Sequence, residues 1–266
     1  MHWHHDIMDW VAYLMAIGSP ATTISLRRHH MQQLAAGVGG SPQTLTFDEL
    51  VDWFAARDWA PNTRRSYRCT MRAFYSWAMA TGRVTSSPAH LLPPVRVPRG
   101  RPRPTPEAIY RAALQMADGR TTLAILLAAQ CGLRRGEIAR TRREDLLDDL
   151  VGSALRVTGK GGHERLVPLP GDLAELIEAA PDGWLFPSPQ GGHLTPHHLG
   201  KLVSACLPDG WTTHTLRHRC ATVSYASTHD LRAVQELLGH AKPETTAVYT
   251  QIPDEAVRAA MEAAAA

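Results

Sequence analysis

Apolar residues recur at steps of three and four through the first part of the chain, which is the spacing of an amphipathic helix. DIMDWVAYLMAI has this pattern and ends at a Gly-Ser-Pro break at 18–20. PATTISLRRHHMQQLAAG, TFDELVDWFAAR and PNTRRSYRCTMRAFYSWAMATG follow with similar spacing. In the third segment Thr46 precedes Glu49 by three residues, which indicates a capping box at a helix start. The pattern predicts an all-helical first domain over residues 1–92.

The second part of the chain changes its pattern once. Helical spacing from Pro106, Thr121 and Arg134 gives way to ALRVTGKGGHERLVPL, where two short alternating runs flank the glycine-rich stretch 159–162. This arrangement predicts a β-hairpin. Helical patterns resume at 171–179, about 195–206, 213–226, 230–238, 243–249 and 254–265. The sequence therefore predicts a mainly α fold with a small β-sheet, whose second domain covers 105–266.

A proline-rich stretch separates the two parts. PPVRVPRGRPRPTPE contains six prolines and four arginines, and proline interrupts both helices and sheet ladders. We expect an extended linker over 93–104. Its basic residues, among them Arg101 and Arg103, are candidates for contact with a nucleic-acid backbone, and a merely solvated linker is an equal alternative.

Composition narrows the class of protein. Hydrophobic residues make up 44% and charged residues 20% of the chain, as in soluble globular proteins. No apolar run approaches the roughly 20 residues that cross a bilayer, and the N-terminus lacks the order of a signal peptide. The four cysteines are scattered without a C-x-x-C pair, which favours a reducing compartment. We expect a cytoplasmic protein with no membrane partner.

Positive charge is concentrated in the first part. Residues 1–98 hold nine arginines and no lysine against six acidic residues, whereas the remainder is balanced. The fourth helical segment presents a polar stripe of arginines without an acid: Arg64, Arg65, Arg68 and Arg72. Arginine suits bidentate contact with phosphate, so the stripe is a candidate DNA-binding surface. An ordinary solvated face, and an arginine bias from base composition, are the alternatives.

The stretch HTLRHRCAT concentrates cationic side chains near a predicted helix start. His214 and Arg217 are three residues apart and therefore project from one face, where the helix dipole adds positive character. His214 and His218 have the spacing of a helical zinc pair, but Arg217 between them repels a cation and no H-E-x-x-H motif is present. We predict no metal site here and favour an anion site.

Three further motifs accompany this stretch. CGLRRGEIARTRREDL starts a helix after a glycine and places Arg134 at its first turn. The hairpin has a lone lysine, Lys160, at its tip, and LLGHAKPETTAVYT places His240 nine residues before Tyr249. The sequence has no P-loop, no dinucleotide-binding fingerprint and no G-x-S-x-G elbow.

In this order and spacing the motifs resemble those of the tyrosine recombinase, or phage integrase, family. GLRRGEI resembles the first arginine box, HTLRH the second, and LLGH followed by TTAVY the third, which ends in the nucleophile. The resemblance implies a helical SAM-like core-binding domain and a mixed α/β catalytic domain with a C-terminal exchange helix. It also implies a short integrase without an arm-binding domain, because the chain begins almost directly with the core-binding helices.

The resemblance implies six catalytic positions: Arg134, Lys160, His214, Arg217, His240 and Tyr249. The two arginines bind the scissile phosphate, and the lysine protonates the departing 5′ oxygen. The first histidine assists proton transfer and the second hydrogen-bonds the phosphate. The tyrosine attacks and becomes a 3′-phosphotyrosine. Glu137 matches an acidic position that orients its neighbours, the role of Arg135 is open, and His218 and Arg219 are expected to make packing or backbone contacts.

The implied function is site-specific DNA recombination through a Holliday junction, without a cofactor or metal. Two alternatives stay open: a type IB topoisomerase-like relaxase, and a non-catalytic DNA-binding protein on the same scaffold. The expected partners are double-stranded recombination sites and a homotetramer on two sites, with a monomer or weak oligomer when free. The expected location is the bacterial nucleoid or a phage-infected cell. Neither the target sequence nor a directionality factor follows from the sequence.

Overall fold

The computed structural model describes residues 3–98, 102–150, 152–159 and 162–239. The chain divides into two compact units, Met1–Gly100 and Arg101–Ala266, and the predicted linker over 93–104 includes this division. Across the described ranges, no helix is both long enough and apolar enough to pass through a membrane.

The first unit is helical throughout its described elements. These are α1 (Trp3–Ala16), α2 (Ala21–Val38), α3 (Phe47–Ala55) and α4 (Pro61–Ala80). The capping box predicted at the start of α3 is present: the Glu49 N–H donates to Thr46 Oγ1 at 3.2 Å, and the Thr46 N–H donates to Glu49 Oε2 at 2.8 Å. Because each of these two N–H groups donates to the side chain of the other residue, the helix α3 begins at this point.

Aromatic side chains fill the core of the first unit. Trp10 is 1% exposed and meets Phe74 edge to face, with 5.3 Å between the ring centroids. Met31 and Leu34 of α2 and Met71 of α4 are fully buried around them. Burial of such a side chain contributes roughly 2 kcal/mol, so a few aromatic contacts stabilise a small helical unit.

The second unit packs helices around a small sheet. Its described elements are α5 (Glu107–Met116), α6 (Gly119–Ala129), α7 (Arg135–Ala139), β1 (Leu146–Asp149), β2 (Gly152–Thr158), β3 (Glu164–Pro168), α8 (Gly171–Glu178), α9 (Pro196–Ala205), α10 (Thr213–Thr228) and α11 (Leu231–Leu238). The strands are antiparallel in the order β1-β2-β3, and Leu155 of β2 pairs with Leu146 and Val167. The predicted hairpin is confirmed as β2 and β3, and the mainly α fold with a small sheet is confirmed with it.

Strand β1 was not predicted from the sequence. Its four residues, LLDD, offer only two apolar side chains and end in two acids, so no alternation is visible. The strand forms because β2 provides a partner edge, which is a long-range effect that local pattern does not contain. The helices predicted at 243–249 and 254–265 lie outside the described residues.

Helix α6 is the centre of the second unit. Its residues from Leu123 to Ala129 are all buried, as expected for a helix that is surrounded by others. The chain leaves the helix through Gly132, whose φ is +65°. A Cβ at Gly132 would lie 2.5 Å from Leu238 Cδ2, so both the backbone and the packing require glycine. This turn places the following residues at the candidate site.

Candidate active site

Arg134 lies at the start of α7, directly after the glycine turn. It is the N-cap residue with extended backbone angles, not a first-turn residue as the sequence suggested. Its N–H donates to Glu137 Oε2 at 2.8 Å, and its Nη1 donates to Glu137 Oε1 at 2.8 Å. The carboxylate therefore holds both the backbone and the guanidinium of a side chain that remains exposed.

Arg217 lies on α10 and is only 1% exposed. Its Nη1 donates to the Gly132 carbonyl, and its Nη2 donates to the Leu238 carbonyl at 2.7 Å. These two carbonyls lie at the turn after α6 and at the end of α11. The guanidinium thus joins α10 to the turn after α6 and to the end of α11, and it also lines a groove.

Glu137 is the buried anion of the site, with 4% of its surface exposed. Burial alone raises the pKa of its carboxyl, but hydrogen bonds from Arg165 and from the Arg134 backbone, with the Arg165 charge, lower it to about 2. Arg217 Nη1 lies 3.9 Å from Glu137 Oε2. Three arginines therefore lie within 4 Å of one ionised carboxylate, and the orienting role of Glu137 stays a prediction.

Sequence reasoning missed Arg165. This residue of β3 donates from Nη1 and Nη2 to Glu137 at 3.2 and 3.0 Å, and from Nε to the Leu237 carbonyl at 3.3 Å. A Cβ at Gly239 would lie 2.9 Å from Arg165 Cδ, so glycine there permits the close approach. Arg165 connects the hairpin to the first arginine box. No spacing in the sequence reveals this contact, because 28 residues separate the partners.

His214 and His218, here called the histidine pair, face each other one turn apart on α10. Their Nε2 atoms are 3.0 Å apart. Burial, with the charges of His214 and Arg217, lowers the pKa of His218 to about 4. Burial, with the charges of Arg217, Arg134 and Arg135, also lowers the pKa of His214. Both rings are therefore neutral near pH 7 while no anion is bound.

Among the described residues, no group of three or more histidine, cysteine, aspartate or glutamate side chains has a metal-binding arrangement. The two histidines contact each other and lie among arginines, so this part of the structure suits an anion better than a cation.

The cationic residues of the site lie along one groove. It has a volume of about 610 Å³ and is lined by Arg134, Arg135, His197, Gly200, Lys201, Ser204, Thr212, Thr213, His214 and Arg217. Its described lining includes no aspartate or glutamate. We call it the cationic groove. The structure thus brings Arg134, His214 and Arg217 of the six predicted catalytic residues to one surface.

Lys160, His240 and Tyr249 lie outside the described residues, and their predicted roles stay predictions. The Gly159 N–H donates to the His163 carbonyl at 2.7 Å and closes the described flank of the hairpin. Gly239, with φ of +61°, ends α11 within the third motif, directly before His240.

Arg219 contacts three other residues of the second unit. Arg219 donates from Nη2 to Glu107 Oε2 at 2.5 Å and from Nη1 to the Ala129 carbonyl at 3.3 Å. Its guanidinium also lies 4.1 Å from the centre of the Tyr110 ring. Arg219 therefore joins α10 to α5 and α6.

Most of the arginine stripe on α4 has contacts within the first unit. Arg64 donates to the carbonyls of Phe54 and Arg57, and Arg72 donates to the His90 carbonyl at 2.7 Å. Arg68 donates to the Leu92 carbonyl from Nε at 3.0 Å and from Nη2 at 2.8 Å. Arg65 is exposed. These structural bonds leave further N–H groups on each guanidinium, so DNA binding by the stripe stays a prediction. Of the linker arginines, Arg101 lies outside the described residues and the guanidinium of Arg103 lies 4.2 Å from the centre of the Trp211 ring.

Comparison with known proteins places this site in a family. Residues 106–256 match the sequence profile of the Phage integrase family. The chain is 33% identical over 235 residues to tyrosine recombinase XerC of Myxococcus xanthus, across 78% of this chain and 77% of that protein. It is 35% identical over 226 residues to tyrosine recombinase XerC of Methylobacterium sp. (strain 4-46), across 73% of this chain and 68% of that protein.

Solved structures share the fold. The lambda integrase (75–356) dimer bound to a COC′ core site has a TM-score of 0.77 at 19% identity, across 94% of this chain and 95% of that one. The lambda integrase tetramer bound to a Holliday junction has a TM-score of 0.74 at 18% identity, across 91% and 78%. At this identity the similarity concerns the fold alone.

Proposed function

The chain belongs to the phage integrase family, and from this premise we propose how its site carries out the family's reaction. It is a site-specific DNA recombinase, an enzyme that breaks and rejoins DNA by transesterification. The observation that supports this most directly is the convergence of Arg134, His214 and Arg217 on one groove without a lining carboxylate. Such a groove binds a phosphodiester and stabilises the negative charge that develops as it reacts.

The two arginines bind the scissile phosphate. Arg217, which is buried and held by two backbone carbonyls, presents a fixed charge, and Arg134 is oriented by Glu137. Because both guanidiniums are held before substrate arrives, little reorganisation is needed in the transition state. His214 assists proton transfer, and His240 donates a hydrogen bond to the same phosphate.

Tyr249 is the nucleophile. Its phenolic oxygen releases its proton to solvent and forms a bond to phosphorus while the bond from phosphorus to the 5′ oxygen breaks, and Lys160 supplies the proton that the departing oxygen takes up. A free 5′ hydroxyl then attacks the 3′-phosphotyrosine, restores a phosphodiester and releases the tyrosine. One ester is exchanged for another in each step, so the reaction requires no nucleotide cofactor.

The full reaction uses double-stranded recombination sites, a homotetramer on two sites and a Holliday junction, with a monomer or weak oligomer when free. The similar fold of the lambda integrase tetramer on a Holliday junction supports this assembly. We also propose that the protein acts in the cytoplasm, at the bacterial nucleoid or in a phage-infected cell.

A selection for DNA that becomes covalently linked to the protein tests the proposed recombinase function and identifies the DNA sequence that it recognises. The protein is incubated with a randomised pool of nicked duplexes in which the short leaving strand diffuses away and traps the intermediate. We expect protein-linked DNA that is enriched for one sequence, and recombinant products when two copies of that sequence are paired. An absence of covalent DNA would indicate a non-catalytic DNA-binding protein. Covalent DNA without sequence preference, accompanied by plasmid relaxation and no recombinants, would indicate a relaxase.

A further inference from the structure

The histidine pair is connected to the segment that enters the second unit. The Arg103 N–H donates to His218 Nδ1 at 3.1 Å. Two residues later, the Thr105 N–H donates to the Thr215 carbonyl at 3.1 Å, and the two threonine hydroxyls lie 2.9 Å apart. The Arg103 guanidinium lies 4.2 Å from the centre of the Trp211 ring. These contacts hold the segment against the first turns of α10.

These hydrogen bonds set the proton order, meaning which ring nitrogen of each histidine carries the proton. A neutral imidazole has one N–H donor and one bare nitrogen that accepts. Because His218 Nδ1 accepts from Arg103, the ring proton of His218 is on Nε2. That atom lies 3.0 Å from His214 Nε2, so His218 donates and His214 accepts. The ring proton of His214 is then on Nδ1.

We propose that the Arg103 N–H and His218 together fix His214 as a donor, through Nδ1–H, to the phosphate that enters the cationic groove. His214 lines this groove, so the donor belongs to the same surface as the two arginines. His218 is then a positioning residue. The identity of the phosphate rests on the proposed function, whereas the order of the protons does not.

Imidazole ¹⁵N NMR of the full chain tests the proton order without DNA. Near pH 7 we expect protonated Nε2 and bare Nδ1 for His218, and protonated Nδ1 for His214. His218→Leu removes the donor, so the His214 signals should shift towards an average of the two neutral forms. His218→Gln, whose amide can donate in place of Nε2, should keep the wild-type pattern. His197→Leu, a groove histidine outside the pair, is the matched control and should leave the His214 signals unchanged.

A second pair of variants changes Arg103, the donor to His218, and leaves the residues of α10 unchanged. Arg103→Pro removes the backbone N–H, whereas Arg103→Ala removes the side chain and keeps the N–H. We expect the proline variant alone to alter the His218 and His214 patterns. A wild-type His214 protonated at Nε2, or a pattern that neither His218→Leu nor Arg103→Pro changes, would overturn the proposal.

Cleavage of DNA supplies the functional measurement. We expect His218→Leu to slow cleavage on the order of tenfold with unchanged DNA affinity, as for partners that orient metal-binding histidines, and His218→Gln to restore most of the rate. If the NMR pattern is as expected but wild-type protein forms no covalent DNA, the proposed function fails and the proton order stands. If covalent DNA forms and the NMR pattern is not as expected, the proposal fails and the function stands.

A separate observation concerns the other half of the cationic groove. Arg135 and Lys201 are exposed there and make no ion pair with any residue that the structure describes. A Cβ at Gly200 of α9 would lie 3.6 Å from Arg135 Nη1, so the arginine lies against that helix at the residue that precedes Lys201. Two cations that make no ion pair with the described residues, and that line one groove, indicate a second anionic ligand.

We infer that Arg135 and Lys201 bind the phosphate next to the scissile one on the same strand. Phosphates repeat about every 3.4 Å of duplex axis on one strand, so a groove that receives one phosphate also meets its neighbour. The inference deepens the proposed function by assigning a second phosphate subsite to the same groove.

Salt dependence of binding to a mixed-sequence DNA duplex tests the subsite. We expect Arg135→Gln and Lys201→Gln each to reduce the slope of log K against log salt by about 1, and the double variant by about 2. Arg120→Gln, an exposed arginine outside the groove, is the charge-matched control and should keep the wild-type slope. Unchanged slopes in the groove variants, or an equal change in Arg120→Gln, would contradict the subsite. Because this measurement needs no cleavage, its outcome is independent of covalent capture.

Discussion

Glu137 illustrates how one buried side chain organises the site. Its carboxylate is 4% exposed and accepts hydrogen bonds from Arg134 and Arg165. Removing the charge leaves Arg165 and the nearby Arg217 without the anion that compensates their burial, and it leaves the exposed Arg134 without the group that orients it. Loss of one partner from a buried charge pair is strongly destabilising.

We predict that Glu137→Gln lowers the free energy of unfolding near pH 7 by about 3 kcal/mol. The pKa of Glu137 is about 2 in the folded chain against 4.5 for an unperturbed glutamate, so its contribution is full above pH 4.5 and is lost as pH falls towards 2. Denaturant unfolding between pH 7 and pH 3 measures this. The difference between wild type and Glu137→Gln should shrink as the pH falls.

Glu236→Gln is the control for this prediction. Glu236 pairs with Arg232 on the exposed surface of α11 at 2.8 Å, and such surface pairs contribute little. We expect a change below about 1 kcal/mol at every pH. An equal loss of stability in the two variants at pH 7 would contradict the role assigned to Glu137.

The residue scale also marks the limit of sequence reasoning. His214 and Arg217 were predicted to share an anion site because they are three residues apart on one helix, and such local geometry is visible in sequence. Arg165 was not found, because its partner Glu137 belongs to another element and only the folded chain brings them together. The contact of Arg103 with His218 crosses 115 residues and was equally invisible.

At the scale of elements, periodicity and capping predicted the helices of the first unit and the β2–β3 hairpin. Strand β1 was missed because its pairing with β2, and not its own pattern, makes it a strand. The start of α7 was misplaced by one residue, because the Arg134 backbone is extended and bonds to Glu137. The local sequence pattern thus predicts whether a segment is a helix or a strand, while its first and last residues depend on contacts with neighbouring elements.

The hairpin formed by β2 and β3 leads to a prediction at the scale of secondary-structure elements. We expect Lys160→Ala to slow cleavage by about a hundredfold, the effect of losing a general acid. DNA with sulfur at the 5′-bridging position has a leaving group that needs no proton, so this substrate should restore the rate of the variant. Lys201→Ala, which loses a phosphate contact instead, should gain nothing from the sulfur. Failure of the sulfur substrate to rescue Lys160→Ala would exclude Lys160 as the acid.

Helix α4 allows structural and DNA-binding arginines to be separated. Arg68 donates two hydrogen bonds to the Leu92 carbonyl, whereas Arg65 is exposed. We predict that Arg68→Gln lowers the free energy of unfolding by about 1.5 kcal/mol. Arg65→Gln should keep the stability and reduce the salt slope of DNA binding by about 1. Thermal unfolding and salt titration distinguish the two, and an unchanged slope in Arg65→Gln would argue against DNA contact by the stripe.

At the scale of the whole molecule, the proposed assembly is a homotetramer on two DNA sites. Residues 254–266 lie outside the described structure, and their sequence predicts a terminal helix with a narrow apolar stripe. We predict that deleting them leaves binding to a single site intact and abolishes the tetramer on two sites, because we expect this segment to pack on a neighbouring protomer. Analytical ultracentrifugation of the protein with paired sites measures this. A truncated protein that recombines paired sites at the normal rate would show the segment to be dispensable.

The central claim is that the groove formed by Arg134, His214 and Arg217 activates a phosphate for attack by Tyr249. Mass spectrometry of the DNA-linked peptide after covalent capture tests it most directly, with Tyr249→Phe as the control that removes one oxygen. We expect the DNA to be linked to Tyr249 in the wild type, and Tyr249→Phe to bind DNA with unchanged affinity and form no covalent product. DNA linked to Tyr225 or Tyr110, or covalent product that persists in Tyr249→Phe, would contradict the account.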